Sequence, residues 1–318
     1  MIKGVALKSP LKQDAASGRG MGLHRFLVFL SLATLFLIVA GALVTSNDAG
    51  LSVPDWPTSF GSFRMPPMVG GVMYEHGHRM IAASVGLLTV ILTVWVLWKE
   101  HRRWIRRLGV IALLAVIVQG AFGGITVRYF LPPPVSTLHA CLAQLFFALI
   151  VSLAVFTAPS WIEARARLEE PAGFSLRSLS VGAVSTTLLQ LLLGAAFRHH
   201  WFNLIPHMIG AGLVSVLAAW TIVTVFRRYG EEQYLTRPAW VAGVLLVGQL
   251  ILGPSAYFLL SSSAAAPQPT GPMVEVTVAH VAVGALTLAA LLVLTLRVFR
   301  VVIPQRRPVD AATLVRST

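Results

Sequence analysis

The chain has 318 residues, 56% of them hydrophobic and 12% charged, with 25 Lys and Arg against 12 Asp and Glu. A mean hydropathy of +0.77 excludes an ordinary soluble domain and indicates a polytopic membrane protein. The net charge of +13 does not signal nucleic acid, because the basic residues follow a topological pattern and do not form one patch.

Apolar runs that can cross about 30 Å of hydrocarbon, at roughly 20 residues each, occupy residues 26–46, 76–98, 108–127, 136–158, 178–197, 204–226, 239–260 and 275–299. The expected fold is therefore all-α and integral to the membrane, with eight transmembrane helices. The first run is too long for the apolar region of a cleavable signal peptide and reads as a span. Residues 1–22 and 301–318 read as polar, basic tails.

Lys and Arg collect in every second connecting segment. Of the 25, 21 fall in the tails and in the segments around Lys99 to Arg107, Arg165 to Arg177 and Arg227 to Arg237, while Arg64, Arg79, Arg128 and Arg198 fall in the alternate set. The positive-inside rule then places both termini in the cytoplasm and starts every even-numbered helix at the outer face. The expected location is a bacterial cytoplasmic (inner) membrane.

The single cysteine, Cys141, forbids an intrachain disulfide, and no Cys-x-x-Cys-His motif offers covalent haem attachment. Cys141 reads as a small packing residue.

The two halves read as repeats. Gln119 to Gly123 and Gln249 to Gly253 share a Q-x-x-x-G spacing at an offset of 130, and His78 and His207 lie 129 apart. His139 and His280 lie 141 apart, the extra residues falling between Ser261 and Pro272. Four helices per half return the second half to the same orientation, so two tandem, pseudo-symmetric four-helix bundles are expected. The expected division is 1–22 tail, 23–158 first half, 159–176 cytoplasmic linker, 177–300 second half and 301–318 tail.

His78, His139, His207 and His280 all lie near the outer ends of even-numbered spans. An imidazole in hydrocarbon is costly unless hydrogen-bonded or coordinated. A lone histidine would read as a hydrogen-bonded core residue; four at repeat-matched depth read as two pairs of axial haem-iron ligands, His78 with His139 and His207 with His280. His24 and His101 read as boundary residues and His199 and His200 as loop residues, while His76, roughly 200° around the helix from His78, faces away from that site.

The halves also differ. Glu75 precedes His78 by three residues, on the same helix face, where Leu204 precedes His207; the outer loop Asn47 to Tyr74 is far longer than Arg198 to Asn203. That asymmetry suggests chemistry in the first half and a permanent cofactor in the second, with Glu75 handling protons or stabilising a cation. The alternative is an interfacial Glu75 paired with Arg79 one turn on. Arg128 and Arg198 are candidate partners for haem propionates, or simple flanking charges.

The stretch Gly50-Leu-Ser-Val-Pro-Asp-Trp-Pro-Thr-Ser-Phe-Gly61, then Pro66-Pro67 and Glu75-His-Gly-His-Arg79, resembles the heme A synthase family. The resemblance spans essentially the whole eight-helix region. It implies oxidation of the methyl group at porphyrin position 8 of haem O to a formyl group. It also implies Glu75, His78 and His139 at the substrate site, and one haem b ligated by His207 and His280. Implied partners are membrane lipid, a haem O synthase and cytochrome oxidase assembly factors. Many members carry cysteines where this chain has Val53 and Ser59, and a second pair in the later outer loop, also absent here. The alternatives are a di-haem b electron-transfer subunit, which needs no Glu75, and a transporter or assembly factor. The transporter reading lacks ionisable residues at the midplane.

Overall fold

The computed structural model describes residues 10–164, 167–170, 173 and 175–303, with side chains from Met21 onward. The ends of both predicted tails, 1–9 and 304–318, lie outside the described residues, as do Arg165, Arg306, Arg307 and Arg316. The helices are α1 (Pro10–Ser46), α2 (Gly71–Lys99), α3 (Arg103–Arg128), α4 (Pro133–Thr157), the short α5 (Pro159–Glu163), α6 (Leu176–Arg198), α7 (Leu204–Arg228), α8 (Gln233–Ser262) and α9 (Gly271–Val301). Eight of them are long and apolar enough to span a membrane; the protein is an all-α integral membrane protein.

Helix is the form that satisfies every backbone group within one segment when no water is present. Two boundaries exceed those expected. α1 starts at Pro10, well before residue 26, and α8 starts at Gln233 and runs through Pro238 and Pro254. Pro238, the sixth residue of the helix, leaves the Tyr234 carbonyl without its usual partner, and Arg297 donates to that carbonyl at 3.0 Å.

α1 packs on α2 and α4, α2 on α3, and α3 on α4, closing one four-helix bundle; α6 to α9 repeat the same neighbours in the second. The bundles meet through α1 and α4 of the first and α6 and α9 of the second. Close approach uses small residues, as membrane helices do. A Cβ on Gly109 of α3 would lie 2.5 Å from Val96 of α2, and Thr93 donates to the Gly109 carbonyl at 3.1 Å.

The segment expected as a simple linker carries structure. Leu168–Glu169 (β1) pairs in parallel with Val302–Ile303 (β2), and the buried Glu170 accepts from Ser175 Oγ at 3.0 Å and from the Leu176 amide, capping α6.

Candidate haem-binding centres

All four predicted histidines lie near the N-terminal ends of helices: His78 in α2, His139 in α4, His207 in α7 and His280 in α9. Each has a buried Nδ1 with no hydrogen-bond partner. An unpartnered ring nitrogen in a water-free interior is costly, and the cost recurs at all four.

In the second half the rings of His207 and His280 face each other, with centres 6.4 Å apart and planes at 85°. Two imidazoles on opposite sides of one metal ion, with bonds of about 2 Å and roughly 1 Å more from nitrogen to ring centre, have centres about 6 Å apart. The pair therefore fits a bis-histidine haem. In the first half His78 and His139 stand within electrostatic reach of each other. No cluster of three or more His, Cys, Asp or Glu suited to a metal ion occurs among the described residues.

Glycines make the room. A Cβ added to Gly41, Gly123, Gly194 or Gly253 would lie 3.2, 3.4, 2.9 or 3.3 Å from Cε1 of His78, His139, His207 or His280 respectively. Four helices thus present bare backbone to four imidazoles. Glutamines one turn earlier donate to the histidine main chain: Gln119 to His139 O at 3.0 Å, Gln190 to His207 O at 2.9 Å and Gln249 to His280 O at 2.8 Å. The Gln190-x-x-x-Gly194 copy repeats the spacing noted at the other two and was open to the same search of the sequence.

Glu75 is 4% exposed, and its Oε1 accepts from Arg79 at 2.6 Å while Oε2 accepts from the Val53 amide at 2.8 Å. The pairing with Arg79 is thus present. Arg79 also donates to the carbonyls of Asp55 (2.6 Å), Thr58 (3.1 Å) and Val53 (3.2 Å). One salt bridge therefore pins the Pro-Asp-Trp-Pro loop over α2.

Within that loop Asp55 accepts from Thr58 Oγ1 and from the amides of Phe60 (2.6 Å) and Gly61 (2.9 Å), and these bonds, Thr58 first, hold its carboxyl below the usual range. Trp56 lies against α3, where a Cβ on Gly124 would meet its indole at 2.7 Å. His76 Nδ1 shares a hydrogen bond with Ser59 Oγ of the outer loop at 2.9 Å.

Among the expected propionate partners, Arg128 is exposed, whereas Arg198 donates to Thr45 O at 2.6 Å and so ties α6 to α1 across the two halves. His199, read as an ordinary loop residue, is half-buried, and burial, with Arg198, His139 and His200 nearby, holds its imidazole down at about 4. A residue of the second half thus lies within electrostatic reach of His139 in the first, which no local sequence signal indicates.

Residues 68–206 match a family described as cytochrome oxidase assembly protein. The chain is similar to a heme A synthase of Symbiobacterium thermophilum, 31% identical over 250 residues, covering 69% of this chain and 80% of that one. A heme A synthase of Alkalihalophilus pseudofirmus is 24% identical over 261 residues, 73% of this chain and 86% of that one. For one of Lysinibacillus sphaericus the identity is 29% over 179 residues, and there the match spans 55% of this chain and 57% of its relative.

Proposed function

The chain belongs to the heme A synthase family, enzymes of haem A biosynthesis, and from that premise we propose that it oxidises the position-8 methyl group of haem O to a formyl group, giving haem A. In net balance the methyl carbon loses two hydrogens and four electrons and gains one oxygen atom from water, whose own two hydrogens bring the protons released to four; the electrons pass to an acceptor outside the substrate. The observation that carries the reading is the asymmetry between two otherwise matched histidine pairs: among the described residues, only the first has a buried carboxylate and a pinned loop beside it.

The substrate haem binds between His78 and His139, under the loop that Glu75 and Arg79 hold. A haem b held by His207 and His280 supplies one-electron redox chemistry beside that site. Glu75 keeps a carboxylate in a water-poor site, where negative charge stabilises a cation developing on the substrate or accepts a proton from attacking water. Arg79 sets the orientation of that carboxylate and keeps the loop closed against bulk water.

The basic segments face the cytoplasm, so the termini are cytoplasmic and both centres lie toward the outer side of the cell membrane. Supply of haem O by its synthase and delivery of haem A to oxidase assembly follow from the reaction class.

The test is expression in a host that makes haem O but no haem A, with the extracted haems separated and weighed by chromatography and mass spectrometry. Haem A or its hydroxylated precursor, absent from the empty-vector control, is the expected result. Haem b alone, with haem O available and the protein folded, would overturn the reading.

A further inference from the structure

Each histidine is met by two residues one turn apart on the preceding helix. These are Gln119 and Gly123 for His139, Gln190 and Gly194 for His207, Gln249 and Gly253 for His280, and Leu37 and Gly41 for His78. In three of the four, the glutamine amide donates to the histidine's own carbonyl at 2.8 to 3.0 Å. In the fourth, Leu37 occupies the glutamine position and has no donor.

A Cβ on Gly210, one turn after His207, would lie 2.2 Å from Gln190 Oε1, so glycine makes room for that one clasp; Leu142 and Val283 stand at the same position after the clasped His139 and His280. The first half thus differs at the donor position on α1, where His78 meets the Leu37 main chain but no side-chain amide. Arg79, next to His78, bonds the outer loop and leaves α1 untouched.

An amide-to-carbonyl bond between helices fixes the main chain of a ligand against its neighbour where no water competes. His139, His207 and His280 are held in this way and His78 is not. We infer that His78 is the exchangeable axial ligand of the first half. When the substrate binds and leaves, the iron–nitrogen bond to His78 is the one that breaks, its lone pair staying on the neutral imidazole, while His139 retains the iron. The inference rests on the reading of His78 and His139 as the substrate haem site. It accounts for one-sided clasping in a centre that must release its haem and two-sided clasping in a centre that must not.

Carbon monoxide is the probe, because it binds a ferrous haem only where an axial ligand leaves. The full chain, purified from a haem O-producing host and reduced, is expected to bind carbon monoxide at one of its two haems. Leu37→Gln installs the missing donor and slows that binding by roughly three- to twentyfold. Gln190→Leu, which tests the idea without touching the first half, makes the second haem reactive as well.

His78→Ala keeps its haem and binds carbon monoxide faster, whereas His139→Ala loses the first-half haem. Unchanged binding rates in both clasp variants, with two haems present, overturn the assignment of His78 alone. Unaltered haem content and absorption spectrum in both His78→Ala and His139→Ala overturn the haem site itself, and the inference with it.

Discussion

The rings of His207 and His280 stand with centres 6.4 Å apart and planes at 85°. Near-perpendicular imidazoles leave the two iron orbitals that bond to them almost equal in energy. The ferric protein is therefore expected to show a strongly anisotropic low-spin EPR signal from the second half. His280→Ala abolishes that signal and removes one haem, counted as its pyridine haemochrome, while the first-half haem stays. Retention of both haems in His280→Ala would exclude this pair as a cofactor site.

The glycines opposite the rings predict a graded series. A methyl group at Gly194 would lie 2.9 Å from His207 Cε1 and 3.2 Å from Nδ1, whereas at Gly123 the nearest ring atom is 3.4 Å away. Overpacking of this kind costs about 1–3 kcal/mol. Gly194→Ala is expected to lower haem retention about ten- to hundredfold, and Gly123→Ala about threefold or less. Haem transfer to apomyoglobin measures both, and equal effects would contradict the geometry.

Glu75 serves as a loop anchor and as a carboxylate near the first centre, and two variants separate the roles. Glu75→Gln retains one acceptor oxygen, loses a charge-assisted bond and removes Arg79's counter-charge, at about 1–3 kcal/mol. Arg79→Lys breaks the fork that grips Val53, Asp55 and Thr58 but keeps both charges. Haem O turnover is expected to fall far more in Glu75→Gln than in Arg79→Lys, while limited proteolysis of the 47–70 loop increases in both. Equal losses of turnover would reduce Glu75 to an anchor.

The loop has a defined pH response. The carboxyl of Asp55 is held below its usual value, chiefly by the Thr58 hydroxyl and the Gly61 amide. A depressed folded-state pKa stabilises fully above the unfolded value of about 3.9 and is lost as pH falls through the folded one. Protection of residues 47–70 against hydrogen exchange, taken relative to the intrinsic rate at each pH, is therefore expected to hold from neutral pH down to about 5 and to fall only below about 4. Asp55→Asn is expected to loosen the loop at neutral pH, and an Asn variant as protected as the parent would refute this.

The eight spans, their alternation of basic flanks and the four histidines were legible in the chain, because hydrocarbon thickness and the cost of a buried imidazole act on each segment separately. The Gln-x-x-x-Gly spacing at Gln119 and Gln249 was visible too, as a mark of repetition. Its meaning lies in hydrogen bonds to His139 and His280 on the next helix, which depend on the register between helices. The same dependence kept Leu37 unremarkable in an apolar run until His78 was seen facing α1. Arg79's grip on three loop carbonyls and the reach of His199 toward His139 likewise exist only once distant segments are packed. Composition determined which segments enter the membrane, since lipid tests each helix alone. Tertiary packing decided which imidazoles are clasped and which carboxylate is held, since those contacts join residues that the chain itself keeps apart.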